Sequence, residues 1–428
     1  MRMRGVAVSV AALTMAVGFG TTGMAQSPAA EPVTLTAWIG PVFSDAQKKQ
    51  LEDYGAATGN TIETEVFPNP FEQNVLTKWA TGERPDLLFF HAIGNWLVQL
   101  DPETNLQDLT AEPFVGRTIP GVLDKAGSYN GKNYAAVLNY PYLDGVFYNK
   151  PLFEKLGLTK PTNYTELLAL CETIKAADPN VAVISGGGGD VWPLQVPAFM
   201  MWNDALKADP DLIGKVNRNE ASFADPVFVD GIAKLKELQD KGCLNQDILS
   251  SKFADQQQAL IDGTAAMVFQ GSWMVDSMKD SYGVPALDEN VGFFGLSTDS
   301  DVTSWQTVGT GSVYAPITGD AAKEAAARDF IDWATGDDYQ TFLDDSKQFP
   351  IFTGYEAPAG VPQVQIEANE AFLANSVPQF QQTLEASYGA FETFLSEMIA
   401  GTKTPQQVGD ALDEQFNLSA KDLGLPGF

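Results

Sequence analysis

One histidine, two cysteines and a handful of arginines leave a chain of 428 residues few ways to do acid, metal or nucleophilic chemistry. His91 by itself cannot build a zinc site on several histidines, and it is the sole candidate base for a Ser-His-Asp arrangement. Carboxylates and phosphates are usually gripped by the bidentate fork of arginine. Beyond Arg2 and Arg4 the arginines are Arg84, Arg117, Arg218 and Arg328, the first three in the loop-like contexts "GERP", "VGRT" and "VNRN". The glycine-rich "SGGGGDVWPLQ", Ser185 to Gln195, lacks the Gly-Lys-Ser/Thr ending of a phosphate-cradling loop, and Asp190 would repel a phosphate. Tyr140 and Tyr142, two apart and so on one face of an extended chain, are the kind of pair that can hold ferric iron, a reading the scarcity of histidine weighs against. These residues point to a neutral ligand held without metal or cofactor.

The elements that must position such a site follow from pattern. Arg2 and Arg4 precede an uncharged apolar run from Gly5 to Phe19, and Gly23 and Ala25 give a small-x-small end, so residues 1–25 read as a secretory leader cleaved before Gln26. No cysteine stands at the cleavage site directly after the run, which predicts a soluble, periplasmic protein without a lipid anchor. The rest exceeds what one hydrophobic core serves, so two lobes are expected, and a hydrophobic content of 44% is enough to fill them. The net charge of −29, more negative still without the two leader arginines, repels nucleic acid and anionic membranes.

"EPVTLTAWIG" reads as a strand, Ser44 and Gln47 as a capping box for a helix that Gly59 closes, "TIETEVFP" as a second strand, "PFEQNVLTKWATG" as a helix and "RPDLLFFHA" as a strand buried on both faces. That alternation predicts parallel sheets covered by helices. Further on, "YAAVLNYPYLDGVFYNK" is a long strand-like segment, "PLFEKLGL" a short helix stopped at Gly157, and "PTNYTELLALCETIK" a helix capped by Asn163 with Glu166 three residues on. Cys171 falls on the apolar face Leu167, Leu168, Leu170, Cys171, Ile174 of that helix. Buried free thiols are therefore expected of Cys171 and Cys243, although an oxidising compartment permits their pairing.

The stretch "FYNKPLFEKLGL" followed by "PTNYTELL" resembles the signature of the periplasmic sugar-binding proteins of ABC importers, in the maltose-binding-like branch of the extracellular solute-binding proteins, with Asn163-Tyr164 where that family has Thr-Trp. "ATGERPDLLFF", "LIDGTAAMVFQGSW" and "VGTGSVYAPITGDAAKEAAARDFIDWATG" are weaker matches in the expected order, so the resemblance covers nearly all of the chain after the leader. It implies an α/β fold of two lobes, each a mostly parallel sheet covered by helices, joined by three crossings near residues 137–142, 305–310 and 349–353. One lobe would hold residues 32–138 with 310–350, the other 142–305 with 354–428. It also implies a monomer that delivers a carbohydrate to membrane permease subunits.

A sugar offers apolar C–H faces and a rim of hydroxyls, so its site wants aromatic plates and fixed polar groups. Of the eight tryptophans, Trp79 and Trp333 lie in apolar helical patterns and read as core. Trp273 follows "MVFQGS" at a strand end, where the resembled family places a stacking tryptophan, with Gln270 as a rim donor. Trp38 and Phe43 flank the loop after the first strand. Asp190 and Trp192 sit in the glycine-rich loop, which in that family reaches into the cleft. His91 and Asn95 follow "PDLLFF", at the strand end where open α/β sheets bind ligands. Tyr140 and Tyr142 lie on the first crossing, Trp305 and Gly311 on the second. The alternatives are a secreted glycoside hydrolase, which would need two opposed carboxylates, and the same fold binding another solute such as a polyamine, which would want several carboxylates in the cleft.

Overall fold

The computed structural model describes residues 31–307 and 309–428; the expected leader, residues 1–25, lies outside them. Within the described residues, thirteen strands run in chain order: β1 (Thr34–Ile39), β2 (Thr61–Val66), β3 (Leu87–Phe89), β4 (Ser128–Tyr129), β5 (Lys132–Asn133), β6 (Ala135–Val137), β7 (Tyr142–Asn149), β8 (Ala182–Ile184), β9 (Ala265–Gly271), β10 (Val291–Phe294), β11 (Thr303–Gln306), β12 (Ser312–Tyr314) and β13 (Ser376–Pro378). They form two main sheets, one ordered β2-β1-β3-β12-β6, the other β13-β11-β7-β9-β8 with β10 also paired to β7, and a small β4-β5 ribbon. Each main sheet has its own apolar core, and these are the two lobes. The first core runs from Leu35 to Phe352; the second sheet is covered on both faces, by clusters centred on Trp202 and Phe223 and on Phe147 and Phe293.

Local sequence accounts for the element ends. Ser44 and Gln47 form the capping box of helix Asp45–Thr58, which closes on Gly59 at φ 78°. In the Tyr-Asn-Lys triplet the Asn149 side chain accepts from Leu152 N–H at 2.8 Å to start helix Lys150–Leu156, and donates to Leu260 O at 2.7 Å. Asn163 caps helix Tyr164–Ala177 through Glu166 N–H at 3.0 Å, while the Glu166 carboxylate reaches back to Thr162 N–H at 2.8 Å.

The expected two-lobed α/β fold is found, with one detail corrected: the sheets are mixed rather than mostly parallel. β1 pairs parallel with β2 and β3, β8 with β9 and β11 with β13, but β12 is antiparallel to β3 and β6, and β7 is antiparallel to β9, β10 and β11. The physical reason is the crossings. β7 and β12 are the strands the chain enters directly from the other lobe, so they start at the inter-lobe edge and run away from it. Their neighbours end there.

The free-thiol expectation is also corrected, because Cys171 and Cys243 form a disulfide with Cα atoms 5.8 Å apart. The apolar helix face on which Cys171 sits is real, and burial at 0% and 1% is right for both residues. The partner sulfur arrives from the loop after helix Pro226–Asp240, 72 residues away, which no local pattern reveals.

Candidate functional site

The carboxyl ends of β1, β3, β8 and β9 all face the junction of the lobes, where a ligand site is expected in open α/β sheets. On the second lobe this edge carries an aromatic cluster. Trp273, the first residue of helix Trp273–Tyr282, lies just past β9. Its ring centroid is 5.9 Å from that of Tyr142 at an interplanar angle of 81°, and 6.1 Å from that of Trp192 at 62°. Phe253 supports Trp192 from behind at 5.1 Å. Tyr142, Trp192 and Trp273 are all partly exposed, as a stacking surface must be.

Trp192 reaches this corner through a constrained turn. Val191 holds φ at 55°, a conformation rarely adopted by a β-branched residue. On one side of it Asp190 accepts from Phe253 N–H at 2.9 Å, satisfying an orphan donor at the start of helix Phe253–Asp262. The preceding glycines are demanded by packing: a β-carbon on Gly187 would lie 2.6 Å from Gln256 Oε1, and one on Gly189 2.5 Å from Ser250 O.

Burial pushes the Tyr142 hydroxyl well above its usual pKa, with the nearby Asp276 adding to the effect. The hydroxyl accepts from Asn139 Nδ2 at 2.7 Å, and Asn139 Oδ1 is buried with no partner in the protein. Asn95 Oδ1 is likewise buried and unpartnered. Buried acceptors left open in this way are costly unless something else supplies the donor, and hydroxyls are suitable donors.

The other sequence candidates are placed differently. Trp38 packs at a tilt on Phe67 at 5.0 Å and Phe43 meets Phe89 at 4.9 Å, both enclosed in the first core. His91 spends both ring nitrogens, Nδ1 accepting from Gly309 N–H at 2.8 Å and Nε2 paired with Glu72 Oε1 at 2.9 Å, so it ties the first lobe to the second crossing. Gln270 is fully buried and touches Trp273 rather than the cleft surface. Tyr140 donates to Asn369 Oδ1 at 2.8 Å, with burial pushing its pKa up to about 12, and Trp305 packs on Phe372 at 6.4 Å. Gly311 lets the crossings touch, its carbonyl accepting from Leu138 N–H at 2.9 Å and a β-carbon there falling 3.0 Å from Asn139 Cβ.

The lobes also meet directly. A β-carbon on Gly94 would lie 2.3 Å from Leu384 O, and Gln382 of the second lobe donates to Lys125 O of the first at 3.2 Å. A depression of ≈ 230 Å³ between the lobes is lined by Asp45, Lys49, Asp345, Ser346 and Gln348 from one and by Asp276, Lys279 and Asp280 from the other, with Asp276 one helical turn after Trp273. Sequence reasoning missed Asn139, Gln256, Asp276 and Asp144. Only Asp144 left a signal, as a lone acid in the apolar run "YPYLDGVFY".

Two lobes with partly exposed aromatic groups at their junction define a solute-binding protein of the two-lobed α/β class. The chain belongs to the family described as bacterial extracellular solute-binding protein, whose model matches residues 49–373. It is similar to a "Probable sugar-binding periplasmic protein" of Rhizobium meliloti, 25% identical over 195 residues that cover 43% of each chain. It is also similar to the "Multiple sugar-binding protein" of Streptococcus mutans, 27% identical over 154 residues covering 35% of this chain and 36% of the relative. These matches thus span about two fifths of the relatives' length. Among solved structures, a "Chitin oligosaccharide binding protein" aligns over 91% of this chain and 99% of its own with a TM-score of 0.78 at 21% identity. RafE in complex with raffinose aligns over 90% and 99% with a TM-score of 0.74 at 20% identity. At those identities the likeness is one of fold. Among the described residues no helix is long and apolar enough to cross a membrane.

Proposed function

We propose that this protein is the carbohydrate-binding component of an ABC importer, capturing a neutral sugar or oligosaccharide between its lobes in the periplasm and presenting it, as a monomer, to permease subunits. The observation that supports this best is the Tyr142–Trp192–Trp273 corner, three partly exposed aromatics converging at the lobe junction. Aromatic faces suit the C–H faces of pyranose rings. The names of the relatives and of the fold neighbours agree with a sugar ligand. The lobes in this reading are residues 32–138 with 310–350, and 142–305 with 354–428, as the sheet membership supports.

A thermal-shift panel of mono- and oligosaccharides tests the proposal, since a ligand at a hundred times its Kd stabilises the native state by about 2.7 kcal/mol. Absence of any shift across the panel overturns it. The protein acts as a carrier, so incubation with its tightest ligand releases no new reducing ends; turnover proportional to protein concentration would favour the hydrolase reading.

One observation favours a second reading. The depression between the lobes is lined by Asp45, Asp276, Asp280 and Asp345, which would suit an amine-bearing solute, although Lys49 and Lys279 offset part of that charge. Spermidine belongs in the same panel, and a shift with spermidine but with no sugar would establish it.

A further inference from the structure

Trp273 can serve as a stacking plate only if its indole is held in one orientation, because an exposed side chain free to change rotamer loses entropy on binding. Besides its edge contacts with Tyr142 and Trp192, two contacts hold it. A β-carbon on Gly271 would come within 2.0 Å of the six-membered ring, so the indole lies flat on a bare backbone. The Nε1–H donates to Gln270 Oε1 at 3.1 Å.

The second contact continues inward. Gln270 Nε2 donates to Gln256 Oε1 at 3.0 Å, and Gln256 Nε2 donates to the backbone carbonyl of Ser185 at 2.7 Å. Both glutamines are buried, with exposures of 0% and 1%. The Ser185 carbonyl can only accept, which requires the NH2 end of Gln256 to face it and leaves Oε1 facing Gln270. That in turn requires the NH2 end of Gln270 to face Gln256, leaving its oxygen for the indole N–H. Reversing either amide would set donor against donor and acceptor against acceptor in a buried setting, where such mismatches cost most. The polarity of one backbone carbonyl is thereby transmitted through two side chains to Trp273.

The same helical turn also registers Trp192. Phe253, three residues before Gln256, packs on the Trp192 ring at 5.1 Å and gives its backbone N–H to Asp190 Oδ2 at 2.9 Å. Gln256 Oε1 fills the space left by the missing side chain of Gly187.

We infer that Gln256 is a positioning residue for ligand binding, orienting Trp273 through the Ser185–Gln256–Gln270 amide relay without touching the ligand. This rests on the reading of Trp273 as the stacking plate. The test is a double-mutant cycle on the affinity for the tightest carbohydrate of the panel, using Q256L and W273F; the phenylalanine keeps a ring but lacks the N–H that receives the relay. Q256L is expected to weaken binding about tenfold in the wild-type background and less than twofold in the W273F background, since interacting residues are non-additive. Equal losses in both backgrounds, or a Q256L affinity within twofold of wild type, overturn the inference. W273A with undiminished affinity would instead overturn the stacking-plate reading, so the two failures are separable. Should Q256L not fold, Q256E serves: its carboxylate keeps the acceptor toward Gln270 but opposes the Ser185 carbonyl until protonated. Its affinity is then expected to recover as pH falls from 8 to 5, and a pH-independent, wild-type affinity overturns the inference.

Discussion

Gln306 donates to the carboxylate of Asp144 across 2.7 Å, tying the strand that begins after the first crossing to the strand that precedes the second. Ser304 Oγ donates to the other carboxylate oxygen at 3.1 Å, and Thr303 Oγ1 to the Asp144 carbonyl. The carboxylate is fully buried, and burial pushes its pKa up to about 7 against the two hydrogen bonds that lower it.

The sign of the resulting pH dependence follows. In the unfolded chain Asp144 titrates near 3.9, so between roughly pH 4 and 7 the folded state binds the extra proton and its stability falls as pH rises, by at most about 1.4 kcal/mol per pH unit. Asp144→Asn keeps the hydrogen-bonding shape without the charge. Urea unfolding at pH 4.5 and 7.5 is expected to show a smaller fall in stability for the variant than for the wild type. Equal falls would mean that Asp144 does not titrate in this range.

Trp273→Ala removes the central ring of the aromatic corner. Loss of a stacking partner costs on the order of 1 to 3 kcal/mol, so isothermal titration should give a Kd weaker by roughly 5- to 150-fold. Trp273 is only partly buried, and the melting temperature of the unliganded variant should move by no more than a few degrees. Retained affinity would assign the ligand to another surface.

Gly94 and Leu384 O belong to opposite lobes and approach so closely that a β-carbon on Gly94 would lie 2.3 Å from that oxygen. Gly94→Ala should hold the lobes apart at this edge without disturbing either core. Small-angle scattering should show the wild type contracting on saturation with ligand and the variant contracting less, with weaker binding, because a ligand favours the closed form only by its differential affinity for it. A variant that contracts fully would show that closure does not need this contact.

The Cys171–Cys243 bond closes a segment of 72 residues, and the chain-entropy argument assigns it about 4 kcal/mol of stability. The double substitution to serine should lower the urea midpoint accordingly, and reductant should lower that of the wild type but not that of the variant. Insensitivity of the wild type to reductant and substitution alike would indicate that the cystine contributes little.

Much of this architecture was legible from local pattern, because helix caps, glycine stops and apolar periodicity act between residues a few positions apart. The Ser44–Gln47 box, the Gly59 stop and the apolar face bearing Cys171 all stand where the sequence put them. The order of strands and helices followed in the same way; the need for two lobes followed from chain length, and the candidacy of Trp192 and Trp273 from the resemblance of their stretches to the solute-binding family. What tertiary structure decided were relationships set by which strand lies beside which. The direction of β7 and β12 depends on the crossings; the cystine depends on a loop 72 residues distant. Trp38 and Phe43 turn into the first core because Phe67 and Phe89 wait there. Gln270 faces inward because Gln256, on another element, supplies the acceptor its amide needs. A side chain's type limits what chemistry it can do, but its surroundings, assembled from distant segments, determine whether it meets solvent, a ligand or the core.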